Sequence, residues 1–281
     1  MTGQKEIHYR VAGAVRGHFP GRHRSGGGAS GFEFRCHAPL SDAPDPRRLD
    51  LHASLRDPME RWLVRINSER RAIPVTMVAD LSASMGFAGE HRKLDVIADF
   101  AESLAWSAWR NADSFGFIGC DTQVIEPLLL PQTRVRAAGG NLAGALRALQ
   151  PQGRDAQGLL RAHAYLSRQR SLVFLLSDFH LPLAFVDAVL DSLAAHDVVP
   201  VVVWDRLEFS LGPARGLAHV VDPETHQRRL VWWRPALRQR WGDAHEERRE
   251  ALLALFRARR LRPLVIEGGF DADAVTRYFH A

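Results

Sequence analysis

The stretch Ile73-Pro-Val-Thr-Met-Val-Ala-Asp80-Leu-Ser82-Ala-Ser84-Met85-Gly86 decides how the rest of the chain is read. Its first half is a short apolar run, partly β-branched, with no turn residue after Pro74, which is the pattern of a buried strand. The pattern then breaks into Asp80, Ser82 and Ser84, followed by Gly86 and Gly89. A helical period takes over, with Leu94, Ile97, Ala98, Ala101, Leu104, Ala105 and Ala108 on one face. A carboxylate and two hydroxyls therefore sit where a buried strand gives way to a helix. In an open parallel sheet that end of the strand is where ligands bind. Three hard oxygen donors on one loop suit Mg2+ or another divalent cation such as Mn2+ or Ca2+, with coordination positions left for water or a partner's carboxylate. The same residue types also cap helices, and at this point both readings stand.

Working outward, further buried strands are expected at Ser114–Cys120, Ser171–Asp178 and Val198–Trp204. A short edge strand is expected over residues 123–130. Helices are expected from Gly139-Gly140-Asn141 onward, over 155–169 and over 183–196. Alternating buried strands and helices imply an α/β fold, a doubly wound, mostly parallel, Rossmann-like sheet. With strand order 3-2-1-4-5-6, the strand ending in Asp80 lies beside the strand ending in Asp178, at the switch point. A second carboxylate then converges on the first, which helix capping does not predict.

The tail departs from alternation. A hairpin is expected around Asp222-Pro-Glu-Thr225, followed by a long helix over 235–260, a last strand at Leu264–Ile266 and a last helix over 271–279. The division expected is a basic N-terminal extension with some β-structure over 1–72 and an α/β domain over 73–281 that includes the hairpin and long helix.

The charge is uneven. The net +5 is held entirely by residues 1–72, which carry 13 Lys/Arg against 8 Asp/Glu. Basic arms can serve nucleic acid. Here nearly every base is Arg, Lys5 and Lys93 being the two lysines, and no aromatic-interleaved basic stripe accompanies them. No nucleic-acid partner is therefore expected. Gly26-Gly27-Gly28 is not followed by Lys-Ser/Thr, and the sequence pattern predicts no strand ahead of it, so it is not read as a phosphate loop. The apolar runs are too short to span a bilayer, and the N-terminus has no apolar signal segment. Cys36 and Cys120 form no disulfide framework. A cytoplasmic protein without a membrane span is the expectation.

Asp80-Leu-Ser82-Ala-Ser84 resembles the DxSxS motif of von Willebrand factor type A (vWA) domains, where it forms the metal-ion-dependent adhesion site (MIDAS). Leu176-Ser177-Asp178-Phe179 is similar to the loop that supplies that site's later aspartate. Gly139-Gly140-Asn141-Leu142 is similar to the middle Gly-Gly-Thr motif, with Gly140 where the threonine falls and Asn141 beside it. Outside this core, Gly21-x-His23-x-Ser25, Glu33-Phe34 and Asp45-x-Arg47-x-Leu49-Asp50 resemble the bacterial vWA family known as domain of unknown function 58. In that pattern the family's Arg and Tyr fall on Ala38 and Leu40.

The resemblance implies a non-enzymatic, metal-dependent protein-binding module, a chaperone-like adaptor. Such a module would work with a MoxR-type AAA+ ATPase to mature or assemble a client protein. By resemblance, Asp80, Ser82, Ser84 and Asp178 hold the metal, with Gly140 or Asn141 at the place of a further ligand, and the partner offers an acidic side chain. The alternative is an Mg-dependent hydrolase or phosphatase using Asp80 as nucleophile. That chemistry wants an acid/base two residues on, where Ser82 stands, and a later lysine, for which Lys93 is the single residue in range and no natural candidate. His180 is read as a loop histidine near the site. Trp232-Trp233 is read as half-buried on an alternating strand.

Overall fold

The computed structural model describes residues 6–10, 20–24, 33–68, 70–208, 216–221 and 228–280. The chain divides into two compact units, one formed by Arg10–Ile73 and the other by Met1–Tyr9 together with Pro74–Ala281. The extension expected over 1–72 is thus not one piece, because its first residues go with the α/β unit. The Ile7 amide donates to the Ser107 hydroxyl at 2.8 Å, and the Tyr9 phenol donates to the buried Asp113 carboxylate at 2.6 Å.

The smaller unit is built from short strands. Strand β1 (Pro20–Arg24) pairs antiparallel with β4 (Arg70–Arg71), and β2 (Glu33–Pro39) pairs antiparallel with β3 (Leu63–Ser68). Between β2 and β3 lies α1, the single turn Leu51–Ser54. Asp50 caps it by accepting the Ala53 amide at 3.1 Å, and its other oxygen takes Arg65 Nε at 2.7 Å and bonds His37 Nε2 at 3.1 Å. One carboxylate so ties both strands to the turn. The Arg65 guanidinium, then the Ala53 amide and His37, hold it well below the usual carboxylate range. Ser25 and Gly26–Gly28 lie outside the described residues.

In the larger unit six strands form one sheet in the order β12-β9-β8-β5-β6-β7. They are β5 (Pro74–Asp80), β6 (Ser114–Cys120), β7 (Leu130–Thr133), β8 (Leu172–Ser177), β9 (Asp197–Trp204) and β12 (Leu264–Glu267). All neighbours are parallel except β6 and β7. The β5 strand runs beside β8 in the register Val75↔Leu172 to Ala79↔Leu176, as the expected order requires. Every residue of β5 and β8 is buried, which explains their unbroken apolar runs, since helices cover both faces of a parallel sheet.

On one face lie α2 (Lys93–Arg110) and α6 (Ala272–His280), with Phe174 of β8 set edge-on to Phe100 and Phe279 at centroid distances of 5.3 and 6.0 Å. On the other, Val173 and Leu175 join Val186, Val189 and Leu190 of α4 (Leu183–Ser192) and Leu252 and Phe256 of α5 (Pro235–Ala258). A separate hairpin pairs β10 (Gly216–Val221) with β11 (Arg228–Trp233). Its turn at 222–225 lies outside the described residues. On that hairpin Trp232 is exposed.

Two local expectations differ. The edge strand forms at Leu130–Thr133 rather than over 123–130, and Glu126–Leu128 is a 3-10 turn. Pro131 is tolerated because β7 is an edge strand. Residues 157–165 form a 3-10 helix, not an α-helix. Gly158 there lies so close to the Gln123 backbone that a Cβ would fall 2.5 Å from its carbonyl carbon. The helix expected from Gly139-Gly140-Asn141 onward forms as α3 (Ala138–Ala148).

Candidate metal centre

The β5 strand delivers Asp80 to the C-terminal edge of the sheet, opposite Cys120 at the end of β6. The chain then passes Leu81 and Ser82 and turns through the 3-10 segment Ala83–Gly86 into α2. From β5 the connection runs through α2 to β6, and from β8 through α4 to β9, on opposite faces and in opposite directions. The gap between the ends of β5 and β8 is therefore the switch point of the sheet.

Asp80 is fully buried. One of its oxygens accepts the Ser82 amide at 3.0 Å and the other accepts the Ser177 hydroxyl at 2.7 Å. The Ser82 and Ser84 hydroxyls lie 3.3 Å apart. Burial first, then the charge of Asp178, pushes the Asp80 carboxyl up to about 6, against the pull of its serine hydrogen bonds. The loop is fastened from the side by residue 153, since the Ala83 amide donates to the Gly153 carbonyl at 2.8 Å. Gly153 is needed there, because a Cβ would fall 2.4 Å from that of Asp121.

Asp178, also buried, follows β8 directly. Its Oδ1 accepts the His180 amide at 3.2 Å, and its carbonyl accepts Trp204 Nε1 at 2.8 Å. Phe179 next to it holds a left-handed backbone at φ 53°, and Arg248 of α5 donates to the carbonyls of Phe179 and Leu181. The loop is thus clamped from two elements. Oδ2 of Asp178 accepts the Lys93 ammonium at 2.9 Å, and that ammonium also donates to Glu208 Oε1 at 2.8 Å. His180 Nε2 lies 3.2 Å from the same Glu208 oxygen. The Lys93 side chain is 1% exposed. Burial pushes the Asp178 carboxyl up, but Lys93 and His180 outweigh it and the net shift is downward. Burial pushes the His180 imidazole down, while Glu208 and Asp178 raise it on balance.

The structure brings Asp80, Ser82, Ser84 and Asp178 to one edge of the sheet. It does not bring Gly140 or Asn141 there. Helix α3 runs antiparallel to α2, with Arg92 at the head of α2 bonding the carbonyls of Arg147 and Leu149 at the tail of α3. Gly139 instead meets Ala105, where a Cβ would fall 2.6 Å from the alanine's. Ala105 is twelve residues along α2 from Lys93, about 18 Å at 1.5 Å per residue. Asn141 lines an apolar groove of about 420 Å³ with Leu130, Thr133 and Leu142. Gly139 serves close helix packing, Gly140 faces open space, and the segment that reaches the Ser82 loop is the one at Gly153.

Sequence reasoning gives Lys93 no place in the site, because it opens a helix whose apolar face lies elsewhere. A signal is nonetheless present. The chain holds 37 Lys and Arg but keeps lysine at two places, one of them here.

The donors around Asp80 suit a divalent cation. Among the described residues its hydrogen-bond partners are neutral groups, so a buried carboxylate beside two hydroxyls has no cation of its own. The second cluster is different. Atoms of Asp178, His180 and Glu208 lie within 4.8 Å of one another, a spacing that also suits an ion, but Lys93 already bonds both carboxylates.

Residues 43–251, well over half of the chain, match the family described as protein of unknown function DUF58. The chain belongs to the DUF58 family. This DUF58 chain is 34% identical over 101 residues to a Paracoccus denitrificans protein described as an uncharacterized protein in the moxR 3' region. That alignment covers 36% of this chain and 96% of the relative. Among solved structures it is similar to the conserved hypothetical protein BatB of Bacteroides thetaiotaomicron, at 13% identity and TM-score 0.45 over 74% of this chain and 96% of that one. It is also similar to a von Willebrand factor type A protein of Catenulispora acidiphila, at 14% identity and TM-score 0.37 over 76% of this chain and 42% of that one.

Proposed function

We propose that this DUF58 chain is a non-enzymatic protein-binding module. It acts as a chaperone-like adaptor of a MoxR-type AAA+ ATPase in the cytoplasm and uses a divalent cation at the sheet edge to grip an acidic side chain of its partner. The observation that carries the cation is the state of Asp80, fully buried with neutral hydrogen-bond partners. Asp80, Ser82 and Ser84 would hold the ion. When bound, Mg2+ or Mn2+ supplies a positive charge with exchangeable coordination positions that a carboxylate can enter. The loop's own part is to keep the two hydroxyls and the carboxylate together and, through Gly153 and Ser177, rigid. The relative's place beside moxR supports the choice of ATPase partner. No described helix is long and apolar enough to cross a membrane.

The rival hydrolase reading needs an acid/base two residues after Asp80, and Ser82 occupies that position. The deciding experiment is capture of the ATPase encoded nearest the gene, on immobilised full-length chain in Mg2+. Wild type should retain it, while Asp80→Ala, or wild type in EDTA, should not. Equal capture in all three sinks the cation-dependent reading.

A further inference from the structure

We propose that Lys93 is a cation built into the chain, which occupies Asp178 and Glu208. The divalent-ion site is then confined to Asp80, Ser82 and Ser84, and Asp178 is not one of its ligands. This rests on the cation reading of the Asp80 loop and corrects its ligand set.

The two halves of the site differ in how their charge is balanced. Asp80 is bonded by a backbone amide and a hydroxyl. Asp178 and Glu208 share an ammonium at 2.9 and 2.8 Å, and the side chains of both Lys93 and Asp178 are 1% exposed. A buried carboxylate and a buried ammonium are each costly alone and tolerable only together. An ion that took Asp178 as a ligand would have to approach an ammonium already on that carboxylate, or expel it. Expulsion would strip a buried ammonium of its counter-charge.

The seat is also closed. Asp205, just ahead of Glu208, accepts the amides of His91 and Leu207 at 3.0 and 2.8 Å, so the loop before Lys93 and the turn carrying Glu208 are pinned together. Gly89 permits that approach, since a Cβ there would fall 2.0 Å from Asp205 Oδ1. The residue type fits the role. A lysine ammonium is a compact point charge, whereas arginine's planar fork needs room for five donors. In a chain with one other lysine, Lys5, the cation in this closed seat is a Lys.

Lys93 thus acts as a selector of ligand number. With it in place the ion keeps a three-residue loop and exchangeable positions. Without it, Asp178, His180 and Glu208 become a second ligand set of their own.

The test is titration of the full-length chain with Mn2+ alone, by calorimetry and by thermal melting. The variant Lys93→Met is expected to bind Mn2+ at least threefold more tightly than wild type, and Mn2+ should raise its melting point by more than it raises that of wild type. Unchanged or weaker binding by Lys93→Met overturns the proposal. Should that variant not fold, Asp178→Asn decides. Its Mn2+ affinity is expected to stay within tenfold of wild type, and a larger loss makes Asp178 a ligand and overturns the proposal. A wild type that binds no Mn2+ refutes the cation reading of the Asp80 loop, while the Lys93→Met titration still tests whether Lys93 holds the second seat.

Discussion

The Lys93 ammonium lies 2.9 Å from Oδ2 of Asp178, both side chains shut away from solvent at the C-terminal edge of the sheet. Breaking such a pair from one side leaves an uncompensated charge behind, which typically costs about 3–5 kcal/mol. Lys93→Met should therefore lower the stability of the larger unit by about that amount in chelator. Urea unfolding followed by circular dichroism measures it. A loss well under 1 kcal/mol would mean that the pair is wetter than its geometry indicates.

Asp80 should behave in the opposite way. Its charge is buried among neutral donors and pushed up to about 6 by burial and by Asp178, so the folded state gains little from ionising it. Asp80→Asn is expected to melt within a few degrees of wild type, or above it, without added cation. Its Mn2+ affinity should fall by tenfold or more. Calorimetric melting and Mn2+ titration check the two halves separately, and retained affinity would remove Asp80 from the ligand set.

Two glycines give a matched contrast. Gly89→Ala pushes a methyl into the Asp205 carboxylate, which two backbone amides hold in place, and should cost about 1–3 kcal/mol. Gly144, inside α3, has nothing within 4 Å of where an added methyl would stand, so Gly144→Ala should stabilise by about 0.5–1 kcal/mol. Chemical denaturation of the two variants side by side tests the sign of each.

The smaller unit should show an acid-sensitive point at Asp50. Arg65, the Ala53 amide and His37 hold this carboxyl well below its ordinary value. A depressed acid contributes stability that is present above the unfolded pKa, about 3.9, and is lost as pH falls through the lower folded value. The Ala53 amide resonance, followed by NMR from pH 6 downward, should hold its position through pH 4 and move only below it. A midpoint near 4 would show that the Arg65 contact is not kept in solution.

The architecture was legible because its central strands are buried on both faces, and β5 and β8 carry the unbroken apolar runs that this requires. The meeting of Asp80 with Asp178 followed from strand order alone. Lys93 was not legible, because a lysine in the first turn of a helix looks like a solvated residue. Only the fold closes the Asp205 turn over it. The likeness of Gly139-Gly140-Asn141 to the middle vWA motif suggested a metal ligand, whereas in the fold Gly139 lets α3 approach Ala105 of α2. The segment 157–165 has helical periodicity, but its tight contact with Gln123 goes with the narrower 3-10 winding.

The anchoring of Ile7 and Tyr9 on the larger unit bears on where the protein can be cut. An expression fragment begun at Pro74, the first residue of the central strand, would look like a complete α/β domain. It would lose the phenol donated to Asp113 and the amide donated to Ser107, and would uncover whatever apolar surface Ile7 now covers. The residues between, Arg10–Ile73, form an insertion with both ends rooted in the larger unit. Shortened versions should therefore excise the middle and rejoin the ends through a linker, rather than trim from the start.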